Sequence, residues 1–257
     1  MSDTDLNYIQ ASRLRLNWAA RCIENLADDF DLFKAGFPYF VVVNQKIEQK
    51  SGFVRQDYIF QSKAVSPLLL RFKAGDVIHN LRAVVDNLLW GAGQKFGAHV
   101  SLSFQFTPTR AEFMKYRRRT KLKRLPKPIR HWVMREQSCF RPAEEPTLLR
   151  MINHLWSGDK HRSPMLIGGV VSDFHARFKG IRHGGFEYGP TLGLKDGDKI
   201  ANILIHPDDI IKFQPNFTMD VAFDQDKCPT HSSATLFLRH VHKHILEEIF
   251  PIFEPFS

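Results

Sequence analysis

The sequence predicts an α+β fold, on three observations. Apolar residues recur at helical spacing near both ends and in the middle of the chain, over Leu6–Phe33, Asp76–Trp90 and Ser233–Phe250. A valine- and aromatic-rich pair of runs flanks a glycine directly after the first helix. Glycines and prolines then alternate with short β-like runs between Met165 and Phe223. Helices separated from grouped strands, without an alternating β–α repeat, define that class. No linker or internal repeat divides the chain, so residues 1–257 read as a single domain. Its helical core spans 6–162 and 233–253, with a hairpin at 38–64 and a β-rich segment at 163–225.

Taken in order, Ile9, Leu14, Leu16, Trp18, Ile23, Leu26 and Phe30 mark the first helix, which Gly36 and Pro38 end. Tyr39–Ile47 and Phe53–Ala64, joined at Ser51-Gly52, form the hairpin. Pro67 opens an extended stretch, Leu68–Phe72. In the helix Asp76–Trp90, Val77, Ile78, Leu81, Val84, Val85, Leu88 and Leu89 fill one arc. Asp76, His79, Asn80, Arg82, Asp86, Asn87 and Trp90 fill the other. Gly75 before Asp76 suits a helix start capped by the aspartate. Leu102–Phe106 reads as a short strand, and Pro126 and Pro128 split the next segment into two short helices. Thr147–Trp156 is amphipathic and Gly158 terminates it. Beyond it lies a small antiparallel sheet, then a final helix with a serine cap at Ser233.

Composition narrows the class. The chain has 257 residues, 43% apolar and 25% charged, the balance of a globular protein rather than a disordered one. Twenty-two phenylalanines predict an aromatic-rich core. Cys22, Cys139 and Cys228 lie far apart, which argues against a disulfide framework and against a cysteine zinc site. With no signal-peptide pattern at the N-terminus and no apolar run of about 20 residues, a cytoplasmic protein without membrane partners is expected. Walker, G-x-G-x-x-G and G-x-S-x-G patterns are absent, so no nucleotide or other cofactor is expected.

The net charge of +9 is local. Between Arg110 and Arg130 stand ten basic residues and one acid, Glu112, which leaves the remainder of the chain neutral. Lys115, Arg117, Arg118, Arg119, Lys121, Lys123, Arg124, Lys127 and Arg130 are the expected nucleic-acid contacts, because clustered cations neutralise phosphates. Tyr116 within the segment and Trp132 after it are expected to supply stacking surface. A solvated helix face, or an acidic protein partner, is the competing reading.

Two polar clusters are the candidates for chemistry. In the first, His79, Arg82 and Asp86 project from one side of their helix as acid–base, phosphate clamp and orienter. The second, Asp159-Lys160-His161-Arg162, stands at the exit of the Thr147–Trp156 helix. If the two converge, His79 or His161 would exchange protons, with Asp86 and Asp159 beside them. Arg82 or Arg162 would stabilise phosphorane charge. The alternative is an ion network that pins helices together. His240 and His244, at i and i+4 with Glu247 nearby, are spaced as a zinc pair. No H-E-x-x-H or cysteine accompanies them, so no metal is expected.

The ordered motifs Gly75-Asp76-x-x-His79-Asn80-Leu81-Arg82-x-x-x-Asp86 and Leu155-Trp156-x-x-Asp159-Lys160-His161-Arg162 resemble those of an uncharacterised bacterial family. The likeness covers Leu14 to Arg162 and implies a shared fold. A more distant resemblance is to the HEPN superfamily, helical proteins that include metal-independent RNases of toxin and phage-defence systems. Its hallmark is an arginine followed by a polar residue, with histidine a few positions on. Arg239-His240 with His244 matches it on a predicted helix. In the first cluster the equivalent position after Arg82 is Asn87, where the bacterial family often carries histidine. The resemblance thus implies RNA binding, with ribonuclease activity if the protein is an enzyme. A non-catalytic structural or interaction protein is the alternative, and a homodimer or protein partner is compatible with either.

Overall fold

The computed structural model describes residues 7–36, 39–48, 52–62, 67–98, 102–140, 147–159, 166–177, 186–188, 194, 196–206, 214–223 and 233–257. They form an α+β protein. Its contacts define two compact units, each assembled from segments distant in sequence. One comprises Met1–Leu26, Phe72–Pro164 and Phe237–Ser257, the other Ala27–Arg71 and Met165–Leu236. Among the described residues, no helix is long and apolar enough to cross a membrane.

The second unit holds the strands. The hairpin β1 (Tyr39–Ile47) and β2 (Val54–Ser62) follows α1 (Tyr8–Ala35), and Gly52 supplies a φ of +74° at its turn. β5 (Lys199–Ile205) pairs with β2, and β4 (Phe186–Tyr188) pairs with β5, so the sheet order is β1-β2-β5-β4. Every neighbouring pair in it is antiparallel. The hairpin thus shares a sheet with two later strands. β3 (Leu166–Arg177) and β6 (Gln214–Phe223) form a separate antiparallel pair. Tyr39, Tyr58, Phe60, Ile200 and Ile203 make the apolar cluster of the four-stranded sheet.

The first unit is helical. α1 buries Ile9, Ser12, Leu16, Ala19, Ile23 and Leu26 on one stripe and leaves Leu14 and Trp18 exposed. α2 runs from Leu68 to Lys95, eight residues longer at its start than the periodicity predicts. Leu68–Phe72 is therefore its first turn rather than an extended stretch. Pro67, which has no N–H to leave unpaired, accepts from Leu70 at 3.0 Å and opens the helix. Gly75 and Asp76 lie inside α2, so Asp76 is not a cap. The predicted apolar arc holds: Val77, Ile78, Leu81, Val84, Val85, Leu88 and Leu89 are all 2% exposed or less. Gly91 lets α1 approach, because a Cβ there would stand 2.2 Å from the Tyr8 ring.

α3 (Arg110–Arg119), a 3-10 turn (Leu122–Arg124) and α4 (Lys127–Arg135) follow, three pieces rather than the expected two; Pro126 separates α4 from the 3-10 turn, and Pro128 lies inside α4. Thr109 and Glu112 cap α3 reciprocally. α5 (Leu148–Asp159) continues through Gly158. Ser233 Oγ accepts the Leu236 amide at 3.3 Å and starts α6 (Ala234–His244). A π-helical turn, Ile245–Ile249, then leads into α7 (Phe250–Phe253). Pro251 explains the wide turn: its ring would strike the carbonyl four residues back in a regular helix. The Phe250 amide bonds instead to Ile245. Phe250 and Phe253 are fully buried, in line with the phenylalanine-rich composition.

Candidate functional site

Arg82 is the centre of the first cluster, and it is 4% exposed. A guanidinium is stable there only with partners for its donors. Its Nη1 meets Asp86 Oδ1 at 2.7 Å, one helical turn on. Its Nε donates to Asn153 Oδ1 of α5 at 3.3 Å, and its Nη2 donates to the Phe104 carbonyl. The cation lies over the rings of Phe104 and Trp156, 5.7 and 5.5 Å from their centroids. Asp86 Oδ1 also accepts the Phe104 amide at 2.7 Å. The ion pair thereby satisfies both backbone groups of Phe104.

His79, one turn before Arg82, is exposed, and its Nδ1 accepts from Trp156 Nε1 at 3.4 Å. An accepting Nδ1 leaves the proton of the neutral ring on Nε2. Through Asn153 and Trp156, α5 therefore sits against the polar side of α2. Asp159 closes α5, and Lys160, His161 and Arg162 lie outside the described residues, as does the predicted convergence of the two clusters.

The segment 102–107 is no strand. Its main-chain groups bond to side chains instead of to a neighbouring strand. Beyond the Phe104 bonds, Tyr116 donates its hydroxyl to the Ser103 carbonyl at 2.8 Å. Gln137 Nε2 donates to the Gln105 carbonyl at 3.0 Å, and its Oε1 accepts from the Thr107 amide at 3.0 Å. Phe104, Asn153 and Gln137 are members of this network that the sequence did not indicate. A lone amide residue near a helix carries no periodic signal, so only coordinates reveal it.

The basic segment separates charge from aromatic surface. Lys115, Arg118, Arg119, Lys121, Lys123, Arg124 and Lys127 are exposed, with Arg117 and Arg130 partly so. None of these nine forms an ion pair among the described residues. Arg119 reaches Gln105 at 2.9 Å and Arg124 the Gly97 carbonyl at 2.5 Å. Tyr116 and Trp132, expected as stacking surface, are 3% and 2% exposed. Burial raises the Tyr116 hydroxyl pKa well above its ordinary range. Trp132 packs on Phe104 at 5.1 Å and Phe253 at 5.4 Å. These rings anchor the helices and are closed to a base, because they fill the core that a nine- or ten-residue helix needs.

Two hollows flank the cations. One, about 300 Å³, is lined by Gln105, Thr107, Glu112, Lys115, Tyr116 and Arg119. The other, about 140 Å³, is lined by Arg117, Leu122, Lys127, Arg130, His131 and Met134.

At the C-terminal helix, Arg239 forms a two-pronged ion pair with Glu24 of α1, at 3.0 and 2.6 Å. His244 Nδ1 meets Glu248 at 3.3 Å, and His240 is exposed. No group of three or more metal-ligating side chains occurs among the described residues. No family model, curated protein or solved structure matches the chain.

Proposed function

We propose that the protein binds nucleic acid, RNA in preference to DNA, through the exposed cations of α3, the 3-10 turn and α4. The observation that carries this reading is that nine clustered cations have no carboxylate partner among the described residues, on helices otherwise fixed by buried aromatics. With Tyr116 and Trp132 buried, recognition runs through phosphates rather than through stacked bases. The preference for RNA rests on the resemblance to HEPN proteins described above. The Arg82–Asp86–Asn153 cluster supports a pinning role, since its guanidinium already meets carboxylate, amide and carbonyl oxygens of its neighbours. On this reading the protein is a binder in which that cluster maintains the helices.

Fluorescence anisotropy with a labelled single-stranded RNA, and DNA as competitor, tests the proposal. Affinity should fall steeply as salt rises. Combined Arg118→Glu, Arg119→Glu and Lys123→Glu changes should abolish binding while the melting temperature stays within a few degrees. Binding that ignores salt, or survives the reversals, would overturn it.

A further inference from the structure

We propose that the smaller hollow, at the start of α4, seats a terminal phosphate monoester of the bound strand. This inference rests on the nucleic-acid reading above and adds the chemical group that the site selects. The two hollows differ in charge. Glu112 lines the larger one beside Lys115 and Arg119 and offsets part of their field. The smaller has three permanent cations, Arg117, Lys127 and Arg130, together with His131, and no carboxylate among the described residues of its lining. Such a convergence is unfavourable without an anion between the charges.

Arg130 is partly buried in the wall of the hollow, so its cation is held in place there. The remaining wall is apolar, Leu122 and Met134, and a low-dielectric wall strengthens ion pairing. Lys127 and Arg130 belong to the first turn of α4, which Pro126 opens without a side-chain cap, so the positive end of the helix dipole adds to the field.

Size and charge select the group. At about 140 Å³ the hollow is small, with room for a phosphate group. It is well below the roughly 300 Å³ at which larger ligands are accommodated. An internal phosphodiester carries one charge and two bulky substituents. A terminal monoester carries close to two charges and one substituent, which fits a small recess with several cations.

The test compares one short single-stranded RNA bearing a 5′-phosphate, a 3′-phosphate or hydroxyls at both ends, at constant salt. One phosphorylated form should bind about tenfold more tightly than the hydroxyl form. Arg130→Gln should bring the phosphorylated and hydroxyl forms to within about twofold of each other, on top of the general loss of affinity that removing one cation causes. Lys127→Ala, at an exposed position, should collapse that ratio in the same way should Arg130→Gln disturb folding. Equal affinity for all three ends would overturn the phosphate seat and leave the wider cationic surface standing. If no RNA binds, thermal melting with inorganic phosphate decides. A rise in wild-type melting temperature that Lys127→Ala abolishes would keep the seat and sink the nucleic-acid reading. No rise would sink both.

Discussion

Arg82 and His79 stand three positions apart on one helix and have opposite situations. The guanidinium is 4% exposed, and the loss of its carboxylate partner leaves a buried charge uncompensated. Asp86→Ala should therefore destabilise the protein by about 3 kcal/mol, measured by urea denaturation. Arg82→Met combined with Asp86→Leu should recover only part of that, because the Phe104 amide and carbonyl lose their partners as well. Full recovery would show that the pair has no role beyond neutralising itself. Sequence periodicity placed both residues on the polar arc, and the spacing was right. It could not show that this arc faces α5 rather than water. His242 presents a different case. Burial lowers its imidazole pKa below the ordinary 6.5, against an opposing hydrogen bond to the Leu16 backbone. The unfolded chain then binds more protons, so this contribution is complete above pH 6.5 and is lost as pH falls through the folded value. His242→Leu should flatten the decline in urea midpoint between pH 7 and 5. An unchanged decline would assign it to other groups.

At the scale of elements, long amphipathic helices were legible and their ends were not. α2 begins eight residues before its predicted start, because Pro67 rather than Gly75-Asp76 opens it. α5 runs one residue past Gly158, which is penultimate in the helix, where a glycine costs less than at an interior position. Leu102–Phe106 has the alternation of a strand, and the alternation is real: Leu102 and Phe104 are buried and Gln105 is exposed. What the pattern cannot reveal is the identity of the hydrogen-bond partners, which here are side chains. The link between α3 and the 3-10 turn adds a strained position. Lys121 has φ 54° and ψ 36°, left-handed for a non-glycine residue. Lys121→Gly should relieve a cost of about 1 kcal/mol and so keep or raise the melting temperature. If Lys121 touches a phosphate, the same change should lower the salt slope of RNA binding by somewhat less than one. A fall in melting temperature would mean that the lysine side chain stabilises the turn.

For the molecule as a whole, charge placement was the most readable property of the sequence. The +9 resides in 21 consecutive positions, Arg110 to Arg130, and those side chains do lie at the surface. If six of them engage a single strand, the salt slope is about −4, and affinity falls about 250-fold from 50 to 200 mM salt. A slope near zero would mean that the surface serves another partner. Sheet topology was the least readable property. Nothing in local pattern indicates that β5 pairs with β2 across some 140 positions, since such pairing depends on long-range packing. The segment 102–107 carries a last consequence. Arg82, Tyr116 and Gln137, from α2, α3 and the end of α4, each grip one stretch of main chain. Freeing any one of the three leaves a carbonyl of that stretch without its donor. The cationic helices and α2 thus share one strip of main chain, and a change that loosens any of them should be felt at the charged surface.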